Sequence, residues 1–433
     1  MRLTKDNVNQ ARINTRLHHR DYGDLSAPGA VMMKKWGRNG APCREYAPLF
    51  IHLTVTGRCN ARCKGCINTY VTLGQEGSRK GIFQESEALP RRDARAVINL
   101  AHLHPDDEVT VCLYGGEPLL VADKVAEIMG IIRDSDISSR IRYLLYTNGE
   151  LLAVSIREHP EVMKQIWLYA VGIDGGPQQH NSIRRGTDLA RIRGNLEELR
   201  AQCPGKVLMW STLREEQSLL DCFEEFLSLQ KRGLADHLFW HWVETDERFE
   251  NFPGYAARYE DHLRKIMDSF LEFLRKGVIL PIAHVNELIL FLLEGKVRGS
   301  SACGVEVAKN YDLMGGKIHA CADLPPELAI GDIGDDGELH IREHRLADLV
   351  RYQQVLECPT CGVVAYCGGR CPVQALTSTP ERLVQYCELM RLHVAVIQDF
   401  MPRITALMEE QALAPQDLYD QSAMIAQFTD VAP

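Results

Sequence analysis

The chain has 433 residues and a net charge of −9. This length is too great for one ordinary hydrophobic core and suits two or three domains. The acidic balance leaves no basic excess for a nucleic-acid backbone, so we do not expect nucleic acid as the main partner. No run of about 18 or more apolar residues predicts a membrane span, and the N-terminal stretch lacks the apolar centre of a secretory signal. We therefore expect a cytoplasmic protein.

Cysteine is abundant, with 14 residues. In the reducing cytoplasm such a content indicates metal binding or catalysis rather than a framework of disulfide bonds. Most of the cysteines fall into two spaced groups. We expect the remaining four to be small buried apolar residues: Cys43, Cys112, Cys203 and Cys222.

The predicted elements begin after an irregular lead-in over residues 1–48. From residue 49, short β-rich runs alternate with longer helical patterns, which is typical of parallel strands joined by helices. The predicted strands span residues 49–56, 109–114, 143–147, 167–173, 207–213 and 238–243, and the helices between them include 119–133, 188–202 and 215–231. Six such units over residues 49–254 favour an α/β fold with an open, partial (β/α)6 TIM-type barrel. The pattern alone leaves a flat doubly wound sheet as the alternative.

The chain beyond the barrel has a different composition. Residues 255–298 predict a helical bridge of two helices, over 255–276 and 282–296. Residues 299–390 form a small cysteine-rich α+β domain with too little apolar surface to be stable alone, so we expect metal to hold it together. Residues 391–433 complete a closing helix over 380–412, with Pro402 as a point of interruption, and a tail.

The first cysteine group follows the first predicted strand directly, in the segment LTVTGRCNARCKGCINTY. Cys59, Cys63 and Cys66 have the spacing C-x3-C-x2-C. Three thiolates can hold three irons of a cubane cluster and leave the fourth iron open to a substrate or cosubstrate. The alternatives are a zinc site short of one ligand or a chance arrangement. A zinc ribbon normally pairs two C-x2-C units, and this group has one.

This spacing, with Tyr70 close behind it, resembles the radical S-adenosylmethionine (SAM) superfamily, and the later run LYGGEPLL resembles that family's GGEP motif. The resemblance implies a [4Fe–4S] cluster that binds SAM and cleaves it reductively to a 5′-deoxyadenosyl radical, which abstracts a hydrogen atom from the substrate. It also implies that Gly115, Gly116 and Glu117 meet the SAM amino group. Glycine suits a close backbone approach, and a carboxylate suits an ammonium group.

Two later segments resemble further elements of the same family. The segment YTNGELL, which contains Asn148, resembles the end of its third strand. The segment VGIDGGPQQHNSIRRG resembles its S-I-D-G-P…H…R-G element, but Gly172 stands where the family usually has a serine that contacts SAM. We expect His180 to be structural. The candidates for further contacts with SAM are Arg184 or Arg185, which equally suit structural salt bridges, and Ser211 and Thr212 at the end of the fifth strand.

The second cysteine group lies in the C-terminal part, and its seven spaced positions resemble the SPASM domain found in some radical SAM enzymes. Residues 330–333 also resemble the strand after that domain's second cysteine. The resemblance implies two auxiliary [4Fe–4S] clusters, and thus three clusters in all. The first would be bound by Cys303, Cys321 and Cys371, and the second by Cys358, Cys361, Cys367 and Cys387. Zinc bound to the C-x2-C-x5-C-x3-C run is the alternative.

The first auxiliary cluster has only three cysteines in this pattern. Some relatives supply a fourth, and Lys309 stands at that position here. We therefore expect an open iron or a ligand other than cysteine, with Glu306 and Asp312 as candidates. An open iron would bind the substrate directly, whereas a filled site would only relay electrons.

Three further residues are candidates for acid–base chemistry. Sulfatase-maturing relatives have an aspartate base directly after the second SPASM cysteine, but here Ala322 follows Cys321 and Asp323 comes one place later. In the strand LFWHWVETDE, alternation places Phe239, His241 and Val243 on one face and Trp240, Trp242 and Glu244 on the other. We expect His241 or Glu244 near the radical, or else a strand that only packs the barrel wall.

The resemblance also suggests a substrate class, because most SPASM enzymes modify ribosomally made peptides by crosslinking, excision or oxidation. A peptide-modifying enzyme is therefore the leading hypothesis. The alternatives are a radical SAM enzyme that acts on a sugar, nucleoside or amino acid, and a non-catalytic iron–sulfur electron carrier. The expected partners are the peptide, a separate leader-binding protein, and a flavodoxin or ferredoxin as reductant.

Overall fold

The computed structural model describes residues 3–15, 49–70, 85–244, 248–307, 310–321, 323–324, 326–343 and 346–429. Cys43, Lys309 and Ala322, on which sequence predictions rest, lie outside these residues, as does the side chain of Tyr70. Across the described part of the chain, no helix is long and apolar enough to cross a membrane.

Six parallel strands form the centre of the fold. They are β1 (Leu49–Thr56), β2 (Val109–Gly115), β3 (Ile141–Thr147), β4 (Ile166–Gly172), β5 (Lys206–Leu213) and β6 (His237–Trp242). Each strand pairs with the next one along the chain. A doubly wound sheet reverses its strand order at a switch point, and this sheet has no such reversal between β1 and β6. The architecture is therefore a mixed α/β fold that resembles a partial TIM-type barrel.

Helices connect the strands and cover the outside of the sheet. They are α2 (Pro90–Leu103), α3 (Ala122–Arg133), α4 (Leu152–Glu158), α5 (Pro177–Ile183), α6 (Leu189–Gln202) and α7 (Leu219–Lys231), numbered after an N-terminal helix α1 (Lys5–Thr15). The start of α2 shows how the sequence sets a boundary. Pro90 occupies the first helical position, where no backbone N–H is needed, and the Asp93 carboxylate accepts a hydrogen bond from the Leu89 backbone N–H at 2.8 Å.

The cysteine-rich segment is joined to the barrel by hydrogen bonds. Its strands are β7 (Asn310–Met314), β8 (Lys317–His319), β9 (Gly331–Ile333) and β10 (Leu339–Ile341). β7 pairs in parallel with β1, and β8 to β10 follow as antiparallel strands, so the barrel sheet continues to ten strands. The segment is therefore stabilised by the barrel as well as by whatever its cysteines bind, which the composition alone did not indicate.

Long helices pack against the outer face of β6, where Trp240 and Trp242 contact side chains of all three. They are α8 (Phe252–Leu274), α9 (Ala283–Glu294) and α10 (Pro380–Glu410), followed by α11 (Pro415–Gln421). α10 runs through Pro402 as one helix, so the interruption predicted there does not occur. Pro402 has no backbone N–H, so one hydrogen bond is missing from the helix at this point.

The amino ends of the strands are closed by a C-terminal plug, residues 422–429. Phe428 is 2% exposed, and its ring lies 4.9 Å from Trp167 and 6.2 Å from Phe50, both near strand starts. The Tyr146 hydroxyl donates to the Phe428 carbonyl at 3.0 Å from inside the barrel. The barrel interior is therefore covered at this end.

Candidate active site

A cavity lies at the carboxyl ends of the parallel strands, where barrels of this type carry their chemistry. Cys59, Cys63 and Cys66 line it on one side, and three cysteines of the C-terminal segment line it on another: Cys303, Cys321 and Cys371. The two groups are far apart in the sequence, and the topology brings them together because β7 lies beside β1.

The start of the loop with Cys59, Cys63 and Cys66 is held by hydrogen bonds to the backbone at the end of β2, next to Gly115 and Gly116. The Gly116 and Glu117 backbone N–H groups donate to the carbonyls of Thr56 and Arg58, each at 2.9 Å. A β-carbon at Gly115 would lie 2.1 Å from the Thr56 oxygen, and one at Gly116 would lie 2.3 Å from the Arg58 oxygen. Both positions therefore require glycine for the approach of the cysteine loop itself, and both also line the cavity.

Glu117 lies beneath the cavity surface and is fully buried. Its carboxylate accepts hydrogen bonds from the Asn148 N–H at 2.7 Å, the Thr147 hydroxyl at 2.9 Å and the Leu119 N–H at 3.2 Å. Burial raises the pKa of Glu117 to about 7, against the effect of these donors. The carboxylate thus connects the end of β2 to the end of β3 through hydrogen bonds. Its expected contact with the SAM amino group stays a prediction.

Asn148 links the end of β3 to the cysteine loop. Its side-chain amide donates to Asn60 Oδ1 at 2.7 Å and lies 3.9 Å from the Cys59 sulfur. Asn68 has a similar place that the sequence did not reveal, because it donates to the Gly115 carbonyl at 3.1 Å and accepts from the Tyr114 hydroxyl at 3.0 Å. Both asparagines line the cavity.

Asp174 is the centre of an ion-pair network that the sequence analysis missed. It is fully buried and contacts Arg184 at 2.9 Å and Arg214 at 3.0 Å, and it accepts from the Thr212 N–H at 2.9 Å. Burial opposes its ionisation, but the two guanidinium groups hold the pKa of Asp174 at about 2. The segment VGIDGG carried the signal, because a carboxylate in a buried turn needs a cationic partner.

Gly172 makes room for Arg184. A β-carbon at Gly172 would lie 2.2 Å from one terminal nitrogen of the Arg184 guanidinium and 2.7 Å from its carbon. The guanidinium therefore occupies the space where a larger residue at position 172 would lie, and it lines the cavity. The departure from the family's usual serine is explained by this packing.

Of the other candidates in these segments, one lines the cavity and the rest do not. Thr212 lines the cavity, whereas Ser211 lies on the other face of β5, fully buried, and its hydroxyl donates to the Ile173 carbonyl at 2.6 Å. The alternation of side chains along a strand thus removes Ser211 from the candidate SAM contacts. Arg185 is exposed and does not line the cavity. His180 is buried between the Asp174 N–H and the Thr187 hydroxyl, which agrees with a structural role.

Aromatic side chains of the strands line the inner wall of the cavity. Tyr146 lies edge-on to Trp210 at 5.1 Å and to Tyr114 at 5.7 Å between ring centres. His52 on β1 lies beside them, and its Nδ1 is 3.1 Å from Asp312 on β7. Asp312, one of the two expected cluster ligands, thus lines the cavity but is paired with an imidazole.

The end of β6 differs in part from the predicted alternation. His241 and Val243 line the cavity, while Trp240 and Trp242 are fully buried on the opposite face, as predicted. Glu244 was placed with the tryptophans, but it lines the cavity because the strand ends at Trp242 and the alternation stops there. The His241 Nε2 lies 2.9 Å from the Thr212 hydroxyl, and burial lowers the pKa of His241 to about 3.

The three cavity cysteines of the C-terminal segment form one close group. Burial raises the pKa of Cys321 well above its usual value, and Cys371 and Cys303 raise it further because their thiols lie near. The Asp323 N–H donates to the Cys321 sulfur at 3.4 Å, and the Asp323 side chain lines the cavity. Glu306, the other expected ligand, is not on the cavity surface, and its carboxylate accepts from the Ser301 N–H and hydroxyl, each at 2.5 Å.

The four remaining cysteines of the segment form a separate group away from the cavity. Burial raises the pKa of Cys358, and Cys387, Cys367 and Cys361 raise it further. Arg391, one turn after Cys387 on α10, donates to the Cys361 sulfur at 3.8 Å. A cation beside clustered thiols favours their ionised, metal-binding form.

The ten cysteines thus separate in space into sets of three, three and four. In the first set, desolvation raises the pKa of Cys59 to about 11, and the Glu117 carboxylate and then the thiols of Cys63 and Cys66 raise it further. Crowded, desolvated thiols of this kind fit polynuclear iron–sulfur clusters, whose irons ionise the cysteines that bind them. Among the described residues, no three histidine, cysteine or carboxylate side chains converge on a site for a single metal ion. The three expected scattered cysteines that the structure describes are buried apolar residues, namely Cys112, Cys203 and Cys222.

Comparisons with known proteins concern the fold and one part of the sequence. No curated protein matches the chain in sequence. A solved structure described as native anSMEcpe with bound AdoMet has a TM-score of 0.59 at 15% identity, and the match covers 84% of this chain and 100% of that chain. A second, of native anSMEcpe with bound AdoMet and Cp18Cys peptide, has a TM-score of 0.60 at 15% identity over 84% and 99% of the two chains. At this identity the likeness shows the fold alone.

A crystal structure of SuiB from Streptococcus suis bound to precursor peptide SuiA is also similar, with a TM-score of 0.45 at 14% identity over 77% of this chain and 74% of that chain. No argument rests on a likeness of that size. The family model described as the radical SAM superfamily matches residues 53–217, which include Cys59, Cys63, Cys66 and the Asp174 network. Residues 53–217 therefore form a radical SAM domain.

Proposed function

We propose that this chain is a radical SAM enzyme of the SPASM type, which modifies a ribosomally made peptide with the help of two auxiliary clusters. The observation that carries the proposal is the placement of two three-cysteine sets on one cavity, with a four-cysteine set behind them. A cofactor on each three-cysteine set would retain an iron without a cysteine ligand. The substrate would then lie between the two.

Cys59, Cys63 and Cys66 would hold a [4Fe–4S] cluster, which would supply the electron for the reductive cleavage of SAM. Arg184 would pair with the SAM carboxylate, because its guanidinium lines the cavity and is fixed by its ion pair with the buried Asp174. Asn148 and Thr212 offer neutral hydrogen bonds from neighbouring strand ends. The aromatic wall of Tyr114, Tyr146 and Trp210 excludes water from the interior of the barrel.

The second side of the cavity supplies the groups for the steps that follow hydrogen abstraction. Asp323 and Glu244 line the cavity and are candidates to take up a proton from the substrate, whereas the low pKa of His241 makes that imidazole a weak base. An auxiliary cluster on Cys303, Cys321 and Cys371 has no fourth cysteine among the residues that line the cavity on this side. A substrate group or the Asp323 carboxylate would complete it.

The partners follow from the same proposal. The substrate is a peptide presented with a separate leader-binding protein, and the electron donor is a reduced flavodoxin or ferredoxin. A donor of this kind is acidic and small, and an exposed pair of arginines lies next to the first cysteine set. Arg62 and Arg185 are directly opposite each other in a short antiparallel ladder.

The test is anaerobic reconstitution of the full chain, followed by measurement of iron, acid-labile sulfide and 5′-deoxyadenosine. We expect about twelve irons per chain, and about eight with no 5′-deoxyadenosine in the Cys59→Ala/Cys63→Ala/Cys66→Ala variant. Cys203→Ala is the matched control, because Cys203 is buried between α6 and the amino end of β5, whereas the cavity lies at the carboxyl ends of the strands, and it should keep all the iron. About four irons in the wild type, together with bound zinc, would contradict the auxiliary clusters.

The substrate class is tested by co-expression with short peptides encoded beside the gene, followed by mass spectrometry. A crosslink formed by loss of two hydrogen atoms lowers the peptide mass by about 2 Da, which follows from the proposed hydrogen abstraction and the loss of a second electron and proton. If 5′-deoxyadenosine forms but no peptide changes while a sugar, nucleoside or amino acid does, the small-molecule alternative is correct.

A further inference from the structure

The N-terminal helix α1 packs on the four-cysteine set. The side chains of Val8 and Ala11 are completely buried, and they belong to one apolar cluster with Leu356, Cys358 and Leu383. Cys387 is packed against the same cluster from α10. The lead-in that the sequence predicted to be irregular thus contains a helix with one buried face, and that face covers two of the four cysteines.

Arg12 anchors this helix next to a cysteine. Its guanidinium donates to the Glu357 carboxylate at 2.6 Å and to the Leu356 carbonyl at 2.8 Å. Both partners directly precede Cys358 in the chain. Burial raises the pKa of Cys358, and Arg12 acts in the opposite sense because its positive charge favours the thiolate.

The other side of the set is enclosed by α10. Arg391 donates to the Cys361 sulfur at 3.8 Å and is held by Glu388 at 2.6 Å. The hydroxyl of Tyr352, which lies between the two auxiliary sets, donates to the carbonyls of Gly369 at 2.9 Å and Arg370 at 3.1 Å. The four-cysteine set is therefore enclosed by the segment's own loops, by α10 and by α1, of which α1 is the most remote in sequence.

A helix of this length has little stability of its own. Isolated helices shorter than about 12–15 residues are marginal in water, and α1 has 11 residues. Its ends are supported locally, because the Thr4 N–H donates to Asn7 Oδ1 at 2.8 Å, but its buried face consists of little more than Val8 and Ala11. Its position therefore depends on the contacts with the cysteine set and α10.

We propose that α1 is a cover for the four-cysteine site, which keeps water and small oxidants away from a cluster bound by Cys358, Cys361, Cys367 and Cys387. The inference rests on the proposed function, since it requires a cluster at that site. Arg12 is a positioning residue, because it acts through Glu357 and the backbone beside Cys358. Solvent access and nearby charge govern the lability and the reduction potential of iron–sulfur clusters.

The experiment compares Val8→Glu with Ile13→Glu in the reconstituted full chain. Val8 is buried against the cysteine set, whereas Ile13 on the same helix is 69% exposed, so the helix, the branched apolar residue that is replaced and the introduced residue are matched. Iron release to a chelator in air is followed by absorbance, and the remaining clusters are identified by electron paramagnetic resonance. Arg12→Gln is the milder second variant, because it leaves the apolar face intact.

We expect wild type and Ile13→Glu to release iron at the same slow rate. Val8→Glu should release about four of about twelve irons several-fold faster than the wild type and the rest at the wild-type rate. Arg12→Gln should show the same fast phase, with a smaller increase in its rate. Equal rates in all four proteins, or loss of all the iron in a single phase, would overturn the proposal. If instead the Cys358→Ala/Cys387→Ala variant keeps the full iron content of the wild type, no cluster occupies the site, and the proposed function itself fails there.

Discussion

Replacing Gly172 by serine, the residue usual in the family that the sequence resembles, is expected to destabilise this protein. The new β-carbon would lie 2.2 Å from a terminal nitrogen of Arg184, so the guanidinium must move. Its contacts with Asp174, at 2.9 and 3.0 Å, are then lost. Asp174 is fully buried and keeps Arg214 at 3.0 Å and the Thr212 N–H at 2.9 Å.

The remaining partners set the magnitude. Removal of one partner from a buried ion pair costs about 3–5 kcal/mol when the other charge is left alone. Here the carboxylate stays partly compensated, so the loss is closer to that of hydrogen bonds to a charged group, about 1.5–3 kcal/mol. We expect the free energy of unfolding to fall by about 2 kcal/mol, and SAM affinity to fall as well because Arg184 no longer lines the cavity in the same position.

The assay is a double-mutant cycle on the anaerobically reconstituted protein, with thermal unfolding followed by circular dichroism and SAM binding measured by equilibrium dialysis. Gly130→Ser is the control, because a β-carbon at Gly130 in α3 meets no atom within 4 Å. Gly172→Ser/Arg184→Ala should be no less stable than Arg184→Ala alone, since the clash is then absent. Additive losses in the double variant, or a Gly172→Ser protein as stable as wild type, would refute the reasoning.

Three further results are expected. Phe428→Ala should lower the free energy of unfolding by about 3–5 kcal/mol, because the ring is buried in the C-terminal plug. Tyr419→Ala, at a residue that is 38% exposed, should change it by less than about 0.5 kcal/mol. Equal effects of the two substitutions in denaturation curves would contradict the role of the plug. Arg62→Glu/Arg185→Glu should slow the formation of 5′-deoxyadenosine when reduced flavodoxin is the electron donor, but not when dithionite is. The difference in rate between this variant and the wild type should shrink as the salt concentration rises. Equal slowing with both reductants would place the donor surface elsewhere. Cys371→Ala should lower the iron content from about twelve to about eight per chain, and an unchanged content would show that its set holds no cluster.

The secondary structure of the barrel was largely predictable because its strands are buried on both faces and its helices are amphipathic. The six predicted strands differ from β1–β6 by at most two residues at either end. The site loops were predictable for a related reason. Parallel strands place all their carboxyl ends at one edge, so residues that follow different strands meet there. Cys59, Gly116, Asn148 and Thr212 all line the cavity for that reason.

Side-chain direction beyond the strand ends was not predictable. Glu244 turns into the cavity because β6 ends two residues earlier, and Ser211 turns away because it lies one place before Thr212. A period of two applies only while the strand lasts. Whether a residue after the last strand position reaches a cavity depends on the path of the loop, which neighbouring elements determine.

By itself, the sequence determined the local features of this protein: strand and helix positions, the glycines after β2, and the cysteine motifs whose family resemblance implied their division into sets. Only the tertiary structure decided the partnerships between distant segments. These are the pairing of β7 with β1, the use of Gly172 as space for Arg184, the C-terminal plug under the barrel, and the packing of α1 on the four-cysteine set. Their physical reason is the same in each case. Such contacts depend on which surfaces remain to be buried once the local elements have formed, and a short segment such as α1 is stabilised mainly by the surface that it covers.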